Sequence, residues 1–83
     1  MNKFEQLART SLAQWKEYSH VTKLFILLAN VADVDAASQI IREAADEMHE
    51  FAQANRGSEN WVTYCLIMGG MRTLNSAIWR LDE

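Results

Sequence analysis

Apolar and polar positions interleave along most of this chain at the three-and-four spacing of an amphipathic helix, and one stretch departs from that pattern. From Lys23 to Ala32 the sequence reads KLFILLANVA, its longest nearly unbroken apolar run. Successive residues of an α-helix turn by about 100°. Phe25, Leu28, Ala29 and Ala32 therefore fall on one side of the run, and Leu24, Leu27 and Val31 form a second seam on another. A surface helix needs a single apolar stripe, whereas a helix that is apolar most of the way round is buried on most of its circumference. The run predicts neighbours on two sides. It is too short to cross a bilayer, which takes about 20 consecutive apolar residues, and it contains Asn30.

Upstream of the run, Phe4, Leu7, Ser11, Trp15, Tyr18, Val21, Phe25, Leu28 and Ala32 keep one continuous face at 100° per residue. With Asn2 as N-cap, the pattern predicts one long helix from about residue 2 to 32. A break near Ser19 and His20 is the alternative, because Ser, His, Val and Thr are all middling helix formers. Asp33 or Asp35 then caps a second helix, 34 to 55, whose seam runs Val34, Ala37, Ile41, Ala44, Met48 and Phe51 and is widened by Ile40, Ala45 and Ala52. Glu43, Asp46, Glu47 and Glu50 occupy its outer surface. Asn55-Arg56-Gly57 stops that helix, since glycine accepts the left-handed conformation that closes one. Ser58 caps a third, 58 to 81, with its seam at Tyr64, Ile67, Met71, Leu74, Ile78 and Leu81. Gly69-Gly70 interrupts the middle of this helix and marks either close helix packing or a hinge. The expected fold is all-α: a single domain, 1 to 83, built as a three-helix antiparallel bundle with a long first helix.

Composition narrows what holds such a chain together. At 83 residues, core burial leaves a modest margin unless metal, disulfide or oligomerisation adds to it. Cys65 is the one cysteine, so no intrachain disulfide forms, and His20 and His49 give no zinc-type spacing. No metal and no cofactor is expected. Oligomerisation remains, and Leu24, Leu27 and Val31 are the expected interface of an obligate homodimer or higher oligomer pairing through helix 1, with Leu27→Asp expected to leave an unfolded or aggregating chain. Charge supports antiparallel neighbours: residues 1 to 32 balance at +2, residues 33 to 55 at −5, and the rest is neutral, for a net −3. The opening MNKFEQLART is amphipathic, without a charged n-region and apolar h-region, so a cytoplasmic protein is expected.

Candidate chemistry is sparse. Cys65 with His49 or His20 as base is the one nucleophilic pairing available, but a lone cysteine without a surrounding signature behaves as a small buried apolar group. No catalytic residue is assigned, the chain is not expected to be an enzyme, and replacement of Cys65 by Ala or Ser is expected to be tolerated. The Gly69-Gly70 pair is no phosphate loop, because no strand precedes it and no Lys-Ser or Lys-Thr follows. Arg9, Lys16 and Lys23 share the solvated side of the expected first helix and could touch nucleic-acid phosphates, with weak, salt-sensitive affinity.

The most suggestive group is aromatic and sulfur-bearing. Trp61, Met68 and Trp79 line up within about 20° of one another on the helical wheel, next to Met71, and Trp15 is the third tryptophan. Trp and Met are enriched at protein interfaces, where Met-rich surfaces repack around a partner. Trp61, Met68, Met71 and Trp79 are thus the expected partner-binding residues. In size, helicity and lack of catalytic residues the chain is similar in style, without a shared motif, to the small inhibitory proteins of bacteriophages and mobile elements, such as antirepressors and anti-defence proteins. The leading functional expectation is a non-enzymatic module that binds another protein and alters what it does; a nucleic-acid-associated protein is the alternative.

Overall fold

The computed structural model describes residues 1–81, and all their regular structure is helical. The order is α1 (Lys3–Ser11), a 3-10 turn (Ala13–Trp15), α2 (Ser19–Leu28), α3 (Val34–Ala54) and α4 (Asn60–Ile78). The most extensive contact is between α3 and α4, a helical hairpin joined by a short turn. Both α1 and α2 pack back onto this hairpin, α1 against α4 and α2 against α3.

The long first helix is therefore two helices, and the break comes earlier than Ser19. Leu12 leaves helical geometry at φ −113°, ψ 20°, and Tyr18 is extended at φ −79°, ψ 129°. Cover explains the break. A continuous helix from residue 2 to 32 would run about 45 Å at 1.5 Å per residue, well beyond the about 32 Å of the 21-residue α3. Folding back buries Phe4, Ala8 and Leu12 of the first half and Val21, Leu24, Phe25 and Leu28 of the second in one core. Unbroken hydrophobic phase across the turn does not by itself require an unbroken helix.

Asn2 holds the fold-back shut. Its Oδ1 accepts from the Glu5 backbone N–H at 2.7 Å, the expected N-cap. Its Nδ2 donates to the carbonyls of Leu28 at 2.7 Å and Val31 at 3.1 Å. One carboxamide thus caps the start of α1 and satisfies carbonyls freed at the end of α2. Within the turn, the Thr22 hydroxyl donates to the Lys16 carbonyl at 2.9 Å. Glu5 is buried and accepts from Arg9 Nε at 2.9 Å, and the Arg9 guanidinium lies 4.9 Å from the centre of the Phe25 ring.

The second half follows the pattern closely. The Asp33 carboxylate accepts from Ala36 N–H at 2.8 Å and starts α3, while Gly57, at φ +90°, turns the chain after it. Ser58 is not the N-cap expected of it: α4 begins at Asn60 after Glu59, whose side chain makes no capping bond, and the Ser58 Oγ accepts from the Asn60 N–H at 3.3 Å in the turn before the helix. Ala37, Ile41, Ala45 and Met48 face Ile67, Met71, Leu74 and Ile78 in the core. Phe51, at the end of the expected α3 seam, is 38 % exposed and instead stacks edge-on against His20 with ring centres 4.4 Å apart.

Gly69 and Gly70 sit inside an uninterrupted helix and differ from each other. A Cβ on Gly70 would lie 2.9 Å from Leu12 Cδ2, so the Leu12 side chain at the end of α1 packs directly over this glycine. A Cβ on Gly69 meets nothing within 4 Å. Gly69→Ala is accordingly expected to stabilise the fold by about 0.5–1 kcal/mol through helix propensity and a restricted unfolded state. That corresponds to a rise of a few degrees in a thermal circular-dichroism melt. Gly70→Val, which pushes a branched side chain at the buried Leu12, is expected to lower the midpoint.

Candidate partner-binding site

The aromatic edge of α4 survives in part. Trp79 is 47 % exposed, Trp61 and Met68 are half-buried, and Met68 leans on the core. Met71 is fully buried and is corrected to a core residue: it stands on the α3-facing side of α4 with Ile67 and Leu74, where a partner has no access. Trp15 is half-buried beside Tyr18, ring centres 6.2 Å apart, and packs against the core from the turn.

Between Met68 and Trp79 the seam of α3 and α4 opens into a cavity of about 270 Å³. Ile41 and Ala45 of α3 and Met71 of α4 supply apolar lining, while Arg42 and Asp46 of α3 and Arg72 and Asn75 of α4 supply polar groups. A part-buried hydrogen bond links the two helices beside it: the Ser38 hydroxyl donates to Asn75 Oδ1 at 2.7 Å. Two arginines from different helices were separated by thirty residues of sequence, and only the hairpin brings them to one opening.

The expected dimer seam also divides. Leu24 is 1 % exposed and belongs to the core of the single chain, because α2 turns it toward α3 when the first helix folds back. Leu27 is 46 % exposed, Val31 is half-buried against the core, and Ile26, which the sequence pattern did not single out, is 61 % exposed. A groove between α2 and α3 runs beside Leu27, lined by Ile40 and Ala44, with Lys23 on one wall and Glu43 and Glu47 on the other helix. Val62 and Leu66 are exposed at 56 % and 55 % on the outer side of α4. Their four-residue spacing, out of phase with Ile67 and Met71, was the sequence signal for them.

The three basic residues expected on one helix lie on different elements. Arg9 lies in α1, where Glu5 pairs with it; Lys16 follows the 3-10 turn; Lys23 lies in α2. Cys65 is half-buried and, among the described residues, makes no hydrogen bond to either histidine. His20 faces Glu47 at 3.7 Å and Phe51. Among the described residues no three His, Cys, Asp or Glu side chains are grouped as metal ligands, and no helix is long and apolar enough to cross a membrane.

Comparison of the chain with protein-family models, with curated proteins and with solved structures finds no match.

Proposed function

We propose that this chain is a non-enzymatic protein-binding regulator that engages its partner along the α4 edge formed by Trp61, Met68 and Trp79. The observation that carries the reading is Trp79, a tryptophan with 47 % of its surface in water at the end of an edge that two further large, adaptable side chains continue. Tryptophan is the residue type most enriched among interface hot spots, and truncating one typically costs 2 kcal/mol or more of binding energy. An inhibitor or antirepressor of the kind mobile elements encode would act through such an edge, by sequestering or remodelling the protein it covers. The test is affinity capture from the native host with wild-type and Trp79→Ala baits in parallel. A protein retained by the wild type and reduced roughly thirtyfold or more on the variant supports the edge; an identical retained set rules it out.

Self-association belongs to the same reading, through Leu27 and Val31 with Ile26 in the place assigned to Leu24. The exposure of Ile26 and Leu27 supports it, as does the chemistry of the adjacent groove, where Lys23 of one copy would meet Glu43 and Glu47 of another. Such charges set register and orientation more than affinity.

A further inference from the structure

We propose that the groove between α2 and α3 receives Ile26 of a second copy of this chain, and that the two copies pair with their α2 helices parallel. The inference rests on the self-association proposed above and adds which side chain enters which hole, and in what orientation. Ile26 is 61 % exposed near the end of α2. One exposed apolar side chain is ordinary, but this one stands beside a hole of its own size.

Two helices build the hole. Lys23 and Leu27, four apart on α2, and Ile40 and Ala44, four apart on α3, frame it as four residues frame each knob in coiled-coil packing. Leu27 is 46 % exposed and Ile40 and Ala44 are partly exposed, so an incoming side chain touches all three; buried Leu24 closes the floor. The volume of about 100 Å³ falls well under the ~300 Å³ at which small-molecule pockets begin, and it exceeds the ~30 Å³ share of a single water. It suits one branched side chain.

Angle decides the orientation. Ile26 and Leu27 are turned about 100° apart on α2, so Ile26 stands on one flank of the exposed face and the groove opens on the other. A two-fold axis running along α2 exchanges the flanks and keeps the level, so each Ile26 faces the other copy's groove, framed by a leucine one residue further along the helix. A two-fold axis across α2 would set Ile26 against Ile26 and leave both grooves empty. Charge agrees with the first arrangement. Lys23, one turn before Ile26, makes no ion pair among the described residues and arrives at a rim that carries Glu43 and Glu47.

The test is isotope-filtered NMR on an equal mixture of labelled and unlabelled wild-type protein, which reads contacts between copies only, with sedimentation of Ile26→Ala alongside. The expected results are nuclear Overhauser effects from the Ile26 methyls of one copy to the Ala44 methyl of the other, and a dimer weakened at least tenfold in Ile26→Ala. Because Ile26 is exposed, the variant is expected to keep the wild-type melt. Contacts of Ile26 with Ile26, an Ala44 methyl that touches nothing of the other copy, or an Ile26→Ala dimer as tight as wild type would overturn this proposal and leave the self-association standing. A monomeric wild type would overturn both.

Discussion

Leu24→Asp is expected to abolish cooperative unfolding, whereas Leu27→Asp, three residues on, is expected to leave a folded chain that no longer self-associates. The two leucines belong to one seam on the helical wheel, yet Leu24 is 1 % exposed and Leu27 46 %. A carboxylate at Leu24 would be buried among Val21, Phe25, Leu28 and Ile41 without a partner. Several kcal/mol of desolvation would then add to the 2–5 kcal/mol typical of losing a buried leucine side chain. A domain of this size holds about 4–12 kcal/mol in total, so the substitution removes most or all of it. At Leu27 the carboxylate reaches water, and the cost falls on association alone. The unfolding that the sequence pattern assigned to Leu27→Asp is therefore reassigned to Leu24. Circular dichroism with thermal melting separates the two variants, and sedimentation at micromolar concentration reads the oligomer. A wild type that sediments as a monomer near 9.5 kDa would exclude the proposed self-association. An unfolded Leu27→Asp would show that the fold itself depends on a second copy.

Asn2→Ala is expected to destabilise the chain by about 2–4 kcal/mol, a large loss for a residue so near its start. The cap contributes about 1 kcal/mol, and leaving the part-buried Leu28 carbonyl without its donor costs about 1–3 kcal/mol more. Asn2→Asp separates the two terms. It keeps an acceptor for Glu5 N–H but has no hydrogens for the carbonyls of Leu28 and Val31, and it sets a negative charge against the C-terminal end of the α2 dipole. Asn2→Asp should be as damaging as Asn2→Ala even though aspartate is an equally good cap. Urea denaturation measures both, through a fall in midpoint at constant slope. Wild-type stability in Asn2→Asp would show that the bonds to α2 contribute nothing and that Asn2 acts as a cap alone.

Periodicity determined the helical class, the course of α3 and α4, and nearly all their buried residues, because a helix face repeats locally and needs no knowledge of what covers it. Caps at Asn2 and Asp33, and the turn at Gly57, were legible for the same reason: each is an interaction among neighbours in sequence. The break between α1 and α2 was not. Helix propensity around Leu12 and Trp15 is unremarkable, and the apolar face keeps phase through the turn, so only the length available on the α3–α4 hairpin decides that the chain must fold back. That one decision buries Leu24, leaves Leu27 and Ile26 in water, distributes Arg9, Lys16 and Lys23 over different elements, and sets Leu12 against Gly70. The candidate site divides in the same way. Trp61, Met68 and Trp79 lie on one helix and were found by angle, whereas the pairing of Arg42 with Arg72 crosses two helices. Residues that share a helix are fixed relative to one another by its geometry, but residues on different helices meet only where burial and loop length bring their helices together, and that is a property of the packed chain.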